Sequence, residues 1–267
     1  MSADGPLGAE ELATATGAGV RVLVVDSGAE RTHPALAGVE IRCWAPVTSG
    51  GGRYRMVPDA AGDAYGHGTA VLSILRDWAP GAALESVRVL GGDLRGSSER
   101  VLAAIHWGLD QRFDVINCSF GTADFKYLEG YKRAVDRAFC EGALLVSACD
   151  NFDSRRVELP GWFPTVVSTD HGVLEGLAIR RRRGAMVEFV ARGRDLRLPW
   201  KGGEYRTVTG SSFAAPHLAA VVARVRERRP TWNACEVKAA LYRLAAAEPA
   251  AESAAEPAAR SAAESAA

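Results

Sequence analysis

Residues 210–217 read Gly-Ser-Ser-Phe-Ala-Ala-Pro-His, and a run of small and apolar residues follows from Leu218 to Val225. The small side chains predict a buried helix that begins at the serine pair. A helix N-terminus leaves backbone N–H groups without partners and carries a partial positive charge, so it stabilises an oxyanion beside it. Ser212 is therefore a candidate nucleophile, although a turn with a simple helix cap accounts for the same residues.

Composition limits the classes of function. The 267 residues are 48% hydrophobic, which is enough for a sizeable core, and 32 basic residues balance 32 acidic ones. We therefore expect neither nucleic acid nor a membrane surface as a partner. Five widely spaced cysteines without a Cys-x-x-Cys pair predict neither a disulfide framework nor a zinc site. These thiols, and the lack of a signal-peptide pattern at residues 1–19, favour a cytoplasmic protein.

Strand and helix patterns alternate along the chain. Apolar runs at residues 20–25, 114–118 and 143–149 predict buried parallel strands, and amphipathic stretches between them predict helices. This order predicts an α/β fold with a mainly parallel, doubly wound sheet. Residues 40–63 are Gly-rich and are interpreted as irregular, and the arginine run at 180–183 is interpreted as a solvated turn.

Polar residues stand where predicted elements meet. Asp26 follows the first strand, Asn151 follows the strand at 143–149, and His67 lies between two glycines at a helix start. Groups at the carboxyl ends of parallel strands share one edge of the sheet, where ligands collect. A neutral imidazole accepts a proton from a hydroxyl near pH 7, and a carboxylate behind it fixes its tautomer. Taken singly, Asp26 also fits a turn and His67 a helix cap.

The chain order Asp26, His67, Ser212 resembles that of the subtilisin-like serine protease (subtilase) family, for which this order is the standard example. The resemblance covers about residues 18–244, and four motifs carry it: Val25–Gly28 with His33–Pro34, Gly66–Thr69, Asp114–Gly121 and Gly210–His217. It implies a three-layer α/β fold. We expect an N-terminal extension at residues 1–19, a peptidase domain at 20–244 and a disordered Ala/Glu/Ser/Pro tail at 245–267.

The resemblance implies a serine endopeptidase that acts on a protein or peptide. Ser212 would attack the peptide carbonyl, His67 would accept its proton, and Asp26 would orient the imidazole. The Asn151 amide would donate to the developing oxyanion. Two cleft edges would pair with an extended substrate, and they comprise Gly96, Ser97, Ser98, Ser119, Phe120 and Gly121.

Two acidic residues depart from the family pattern. Cys149-Asp150 stands where the family usually has Ala-Gly, and Glu158 falls where relatives form the floor of the pocket for the residue before the scissile bond. Acids in such a pocket pair with a cation, so we predict a preference for Arg or Lys. The alternative is that both carboxylates point to solvent.

Further departures concern metal and processing. Many relatives bind calcium through an aspartate where this chain has Ala35, and through a loop for which the helix after His67 leaves no room. We therefore expect no metal at that site and no cofactor. Without a recognisable prodomain, the chain resembles intracellular subtilases that process one protein or peptide.

Two other classes of protein are alternatives to the endopeptidase. A non-catalytic or conditionally active peptide-binding homologue is the main alternative. A nucleotide-binding domain would need Gly-x-Gly-x-x-Gly after the first strand, and residues 26–31 lack it. The sequence does not predict an oligomeric state.

Overall fold

A computed structural model describes Gly5 and residues 7–247. The strands are β1 (Arg21–Asp26), β2 (Ile41–Thr48), β3 (Tyr54–Pro58), β4 (Ala83–Arg88), β5 (Val115–Cys118), β6 (Leu144–Ala148), β7 (Val167–Gly172), β8 (Arg180–Arg181), β9 (Phe189–Arg192), β10 (Leu196–Trp200), β11 (Glu204–Val208) and β12 (Ala246–Ala247). The α-helices are α1 (Ala9–Thr14), α2 (His67–Trp78), α3 (Ser98–Asp110), α4 (Leu128–Glu141), α5 (Ser211–Arg228) and α6 (Ala234–Leu244).

Ten strands form one sheet in the order β12-β8-β9-β7-β6-β5-β1-β4-β2-β3. Neighbours run parallel except in the pairs β2/β3 and β8/β9. Side chains of a strand alternate between the two faces. Val22 and Val24 pack with α2, α5 and α6, whereas Leu23 and Val25 pack with α3 and α4. The predicted three-layer α/β fold with a mainly parallel, doubly wound sheet is confirmed.

The central helix α5 lies in the core. Its small side chains allow close approach to α2 and to strands β5, β6, β7 and β9, and residues 213–226 are all buried. Packing on every side leaves the helix little freedom to shift. The residues of its first turn are therefore held in a fixed position at the sheet edge.

Two stretches differ from the sequence-based expectations. Residues 40–63, predicted to be irregular, contain the antiparallel pair β2/β3, with Gly50–Gly52 in the loop between them. The predicted solvated turn at 180–183 holds for Arg183, which is exposed in a turn, and is wrong for the residues before it. Arg181 lies in β8 and covers the Tyr242 ring at 4.3 Å, and Arg182 forms an ion pair with Asp170 at 3.2 Å. Arg181 therefore packs against a ring and Arg182 pairs with an acid, which gives both side chains a structural role.

The chain ends are partly included in the packing. Leu7 and Leu12 join the core, and Glu227 of α5 accepts hydrogen bonds from the N–H groups of residues 16–18 at 2.5–3.0 Å. Ala246–Ala247, assigned to the disordered tail, instead pair with β8 as the short strand β12. The rest of the predicted tail lies outside the described residues, and the domain boundaries stay predictions.

Candidate active site

Asp26 and His67 meet at the carboxyl edge of the sheet. Asp26 ends β1 and is fully buried, and His67 is the first residue of α2. The imidazole Nδ1 lies 2.8 and 3.0 Å from the two carboxylate oxygens. Burial lowers the pKa of His67, but the charge and hydrogen bond of Asp26 outweigh it, so this pKa is raised above its usual value. The pair therefore holds an imidazole with one tautomer favoured.

Ser212 is presented at the same edge by the first turn of α5. It is partly exposed, and its neighbour Phe213 packs on the His67 ring at 5.0 Å. A Cβ built on Gly210 would lie 3.5 Å from both the Ser212 Oγ and the Asn151 Nδ2. The Ser212 hydroxyl and the Asn151 amide thus lie together at the start of α5. The Ser211 N–H donates to Asn151, and the N–H groups of residues 213 and 214 donate to the Gly210 carbonyl, so the Ser212 N–H is the donor of this turn without a partner among the described residues.

The orientation of the Asn151 amide is set by Ser211. The Ser211 N–H donates to the Asn151 Oδ1 at 2.8 Å, and the Ser211 hydroxyl lies 2.9 Å from the same oxygen and 2.6 Å from the Cys149 carbonyl. Because Oδ1 accepts from these donors, the Nδ2 group is the end of the side chain directed away from Ser211. The amide hydrogens are therefore available to an acceptor beside Ser212.

The first predicted cleft edge, residues 96–98, leads into α3. A Cβ on Gly96 would stand 2.6 Å from the Val89 carbonyl, so the backbone is tightly packed there. Ser97 is the N-cap, and its hydroxyl accepts from the Arg100 N–H at 3.4 Å. Ser98 is the first helical residue of α3.

The second predicted edge, residues 119–121, leaves β5. The Ser119 hydroxyl accepts from the Asn117 amide at 2.8 Å, and the Phe120 carbonyl accepts from the Ser147 hydroxyl at 3.4 Å. In the sheet, β1 lies between β4 and β5. The strands that precede the two cleft edges, β4 and β5, are therefore two strand spacings apart, about 9.5 Å. One extended chain fits between two others at that separation.

The two predicted pocket acids have different surroundings. Asp150 accepts hydrogen bonds from the N–H groups of Phe152 and Asp153 at 2.8 and 2.9 Å, and it forms an ion pair with Arg156 at 3.2 Å. Its carboxylate is therefore occupied within its own loop. Asp150 was predicted to face the substrate, and the structure instead shows it bonded to neighbouring residues.

Glu158 lies against the second cleft edge. Its Oε2 is only 2.4 Å from the position that a Cβ on Gly121 would take, so the carboxyl group fills the space that this glycine leaves open. Among the described residues none donates a hydrogen bond to this carboxyl group; burial and then the charge of Asp150 raise the pKa of Glu158, and Arg156 opposes the rise. Glu158 is thus a half-buried acid that has no ion-pair partner within 4.0 Å among the described residues.

Comparison with known proteins places this site in a family. The sequence profile described as the subtilase family, Peptidase_S8, matches residues 17–261. The chain belongs to the subtilase family. A subtilase is a serine endopeptidase, and this enzyme hydrolyses peptide bonds.

Relatives and solved structures agree with this assignment. Subtilisin BL of Lederbergia lenta is 28% identical over 235 residues, which cover 84% of this chain and 82% of that protein. M-protease of Shouchella clausii (strain KSM-K16) is also 28% identical, over 84% of this chain and 58% of its own length. The S41 psychrophilic protease superposes with a TM-score of 0.70 at 26% identity, over 85% of this subtilase and 83% of that chain.

The residues of this subtilase do not fit the calcium site expected from many relatives. Ala35 lies in a short 3-10 turn, and α2 continues without a loop from His67 to Trp78. Calcium needs six to eight oxygen ligands, and an alanine supplies no side-chain oxygen. Within residues 7–247, no group of three His, Cys, Asp or Glu side chains is arranged to hold a metal ion. In the same range, no helix is long and apolar enough to cross a membrane.

Removal of calcium is expected to leave the melting temperature of this subtilase unchanged. A structural ion present at 100 times its Kd would contribute about 2.7 kcal/mol. In a domain of this size, that energy shifts the Tm by roughly 2–4 °C per kcal/mol. Scanning calorimetry with EDTA and with excess calcium measures the difference. A fall of several degrees in EDTA, reversed by calcium, contradicts the expectation.

Sequence analysis missed Asp63, a buried acid beside the candidate catalytic pair. Its carboxylate accepts from the Ser27 hydroxyl, the Gly66 N–H and the Thr69 N–H, each at 2.7 Å. Ser27 also accepts from Gly68 at 3.0 Å, so this network joins the end of β1 to the start of α2. An acid four residues before His67, at a helix N-terminus, is the signal that could have identified it.

Proposed function

We propose that this subtilase cleaves a peptide bond with Ser212 as nucleophile, His67 as general base and Asp26 as the group that orients the imidazole. The observation that carries the proposal is the 2.8 Å contact between Asp26 and the His67 Nδ1 beside the N-terminus of α5. A base held from behind by a carboxylate has its other nitrogen, Nε2, free to accept the proton of a serine hydroxyl.

The proposed steps follow from charge balance. The Ser212 oxygen attacks the carbonyl carbon while its proton passes to His67, and the carbonyl oxygen becomes an oxyanion. The Asn151 amide and the Ser212 N–H donate to this oxygen. The protonated imidazole then gives its proton to the leaving amine, and water repeats the sequence to release the acid.

We further propose that the substrate is a protein or peptide that lies as an extended chain between residues 96–98 and 119–121. Their backbones supply hydrogen-bonding groups on either side of Asp26. The S41 psychrophilic protease is a protease by its name and shares this fold, which supports a protein or peptide as the substrate.

Within this cleft, Glu158 favours Arg or Lys in the residue before the scissile bond. An acid that is half-buried without a hydrogen-bond donor is costly, and a substrate cation would relieve that cost. Asp150 contributes less, since its oxygens already accept from its own loop and from Arg156. Because the Glu158 pKa is raised, the preference is present above this pKa and is lost as the pH falls through it.

A peptide library read by mass spectrometry tests this specificity. The wild type is expected to cleave after Arg or Lys. Glu158→Gln should lower kcat/KM for Arg substrates by roughly 10- to 100-fold, the equivalent of the 1.5–3 kcal/mol of a hydrogen bond to a charged group. Cleavage after Phe should change little.

Asp150→Asn is the matched control for that experiment. It removes the neighbouring carboxylate, whose hydrogen bonds stay within the loop, and should reduce the Arg preference by less than Glu158→Gln does. An unchanged ratio of Arg to Phe cleavage in Glu158→Gln contradicts the pocket assignment and leaves the hydrolytic mechanism unaffected.

We also propose that the enzyme acts in the cytoplasm on one dedicated protein or peptide. All five cysteines are free, and two of them, Cys118 and Cys149, are buried with pKa values raised by desolvation. Such thiols persist in a reducing compartment. Neutral overall charge supports a protein substrate over nucleic acid or a membrane surface as partner.

A further inference from the structure

The hairpin formed by β10 and β11 reaches over the start of α2. Its tip is fastened there by two contacts: the Lys201 ammonium donates to the Ala64 carbonyl at 3.2 Å, and the Gly202 N–H donates to the Glu30 carboxylate at 2.7 Å. Trp200, the last residue of β10, is 4% exposed in this position. The hairpin therefore carries a large ring to the edge of the active site.

The indole of Trp200 fills the space beside Gly66. This glycine is the N-cap of α2 and has φ +117°, and a Cβ built on it would stand 2.6 Å from the Trp200 Cδ1 and Nε1 atoms. A side chain at position 66 would push the ring away. The indole edge packs closely here because glycine has no side chain and leaves this space open.

His67 is enclosed by this ring and by a second one. The Trp200 ring meets the imidazole edge to face at 6.5 Å with an interplanar angle of 87°, and Phe213 of α5 lies 5.0 Å away on another side. Aromatic pairs at these separations prefer such tilted arrangements. Only 5% of His67 is exposed, so two apolar rings and the Asp26 carboxylate define its orientation.

The charged groups around His67 are few. Asp26 of β1 contacts the ring, Asp63 of the preceding loop adds a second negative charge, and Lys201 of the hairpin is fastened to the Ala64 carbonyl. On α5 the neighbours are Ser212 and Phe213, which carry no charge. Arg206 of β11 lies over the Trp200 ring, 5.1 Å from its centroid. Removal of the indole would therefore open the space around the imidazole and uncover this cation, while Asp26 and Asp63 keep their places.

We propose that Trp200 is a positioning residue that holds the His67 imidazole against Asp26 and keeps water away from it. The inference rests on the proposed function of His67 as general base. The Trp200 N–H is buried without a partner in the described part of the chain, a cost that the ring's packing must offset. What the position needs is thus an aromatic ring, and the N–H is dispensable.

Trp200→Ala and Trp200→Phe test this role through the pH dependence of kcat and kcat/KM on a peptide substrate. Trp200→Ala should lower kcat by about 10- to 100-fold, the cost of a misplaced catalytic group, with a smaller change in KM. The charge and hydrogen bond of Asp26 raise the His67 pKa by more than burial lowers it, so loosening this contact should lower that pKa, and the acid limb of the profile should move to lower pH. Trp200→Phe keeps a ring and should stay near the wild type in both.

Tyr205→Ala is the matched control, because Tyr205 lies on the same hairpin but packs on His33 and on Arg197. It should retain the wild-type kcat and pH profile. If Trp200→Ala does not fold, Trp200→Leu supplies the same comparison with an apolar side chain that cannot reproduce the ring edge.

Three outcomes would overturn the inference. The first is an unchanged kcat and pH profile in Trp200→Ala. The second is a loss of kcat with an unshifted acid limb, which indicates general destabilisation. The third is a Tyr205→Ala variant that loses as much as Trp200→Ala. Failure of the proposed function looks different, because His67→Ala would then keep the kcat of the wild type.

Discussion

Ser212→Ala is expected to abolish peptide hydrolysis, with a fall in kcat on the order of 10⁶-fold, the magnitude known for the corresponding serine of subtilisin in the same family. The reason is that no other hydroxyl can take its place. Ser211, the adjacent serine, has its hydroxyl 2.6 Å from the Cys149 carbonyl and is 1% exposed. Single-turnover kinetics with a fluorogenic peptide measure the loss, and KM should change little because the cleft edges stay intact.

Ser211→Ala and a fluorophosphonate probe complete the experiment. The probe should label the wild type and Ser211→Ala, and it should not label Ser212→Ala. A peptide-binding protein without catalysis would show no labelling in any variant and would still bind peptide. Hydrolysis or labelling that survives in Ser212→Ala contradicts the assignment of the nucleophile.

The sequence predicts the parts of the fold that have strong local patterns. Strands β1, β5 and β6 lie in the centre of the sheet and are nearly all buried, so they appear as apolar runs. The pair β2/β3 lies at the sheet edge, has many partly or fully exposed residues and contains Pro46 and Pro58. Such strands carry a weak signal, and a Gly-rich loop between them hides it further.

The residues of the candidate site also differ in how well the sequence predicts them. Asp26, His67 and Ser212 are predictable because each stands at the end of a strand or at the start of a helix, within two residues of a glycine. Trp200 is harder to predict, because its role arises from contacts that the fold creates, whereas Asp63 has a local signal in its place before the helix of His67. The indole meets a glycine 134 positions earlier in the chain, as the residue numbers show. No local pattern encodes that meeting, whereas the geometry of the hairpin does.

The two acids of the predicted pocket show what the structure adds to the sequence. Both Asp150 and Glu158 are acids at unusual positions, and the sequence alone gives them equal weight. The structure separates them, because Asp150 accepts two N–H groups of its own turn and Glu158 lies against Gly121. Short-range capping of a turn by aspartate competes with any role in binding.

Replacement of Asn151 is the second change that should lower kcat strongly. With its Oδ1 held by the Ser211 N–H at 2.8 Å, the amide group is already turned before substrate arrives. A donor fixed in advance stabilises charge that develops only in the transition state, since no reorganisation is needed during the reaction. The loss should therefore appear in kcat, and KM should be nearly constant.

Asn151→Ala should lower kcat by about 10²- to 10³-fold, a range that was itself established on subtilisin. Asn151→Asp is the sharper variant, because it keeps the shape and can still accept from Ser211, but replaces the donor with a negative oxygen. It should be at least as slow as Asn151→Ala at neutral pH. If Asn151→Asp instead retains activity near the wild type, the side chain does not donate to the oxyanion, and the Ser212 N–H at the start of α5 must stabilise that charge alone.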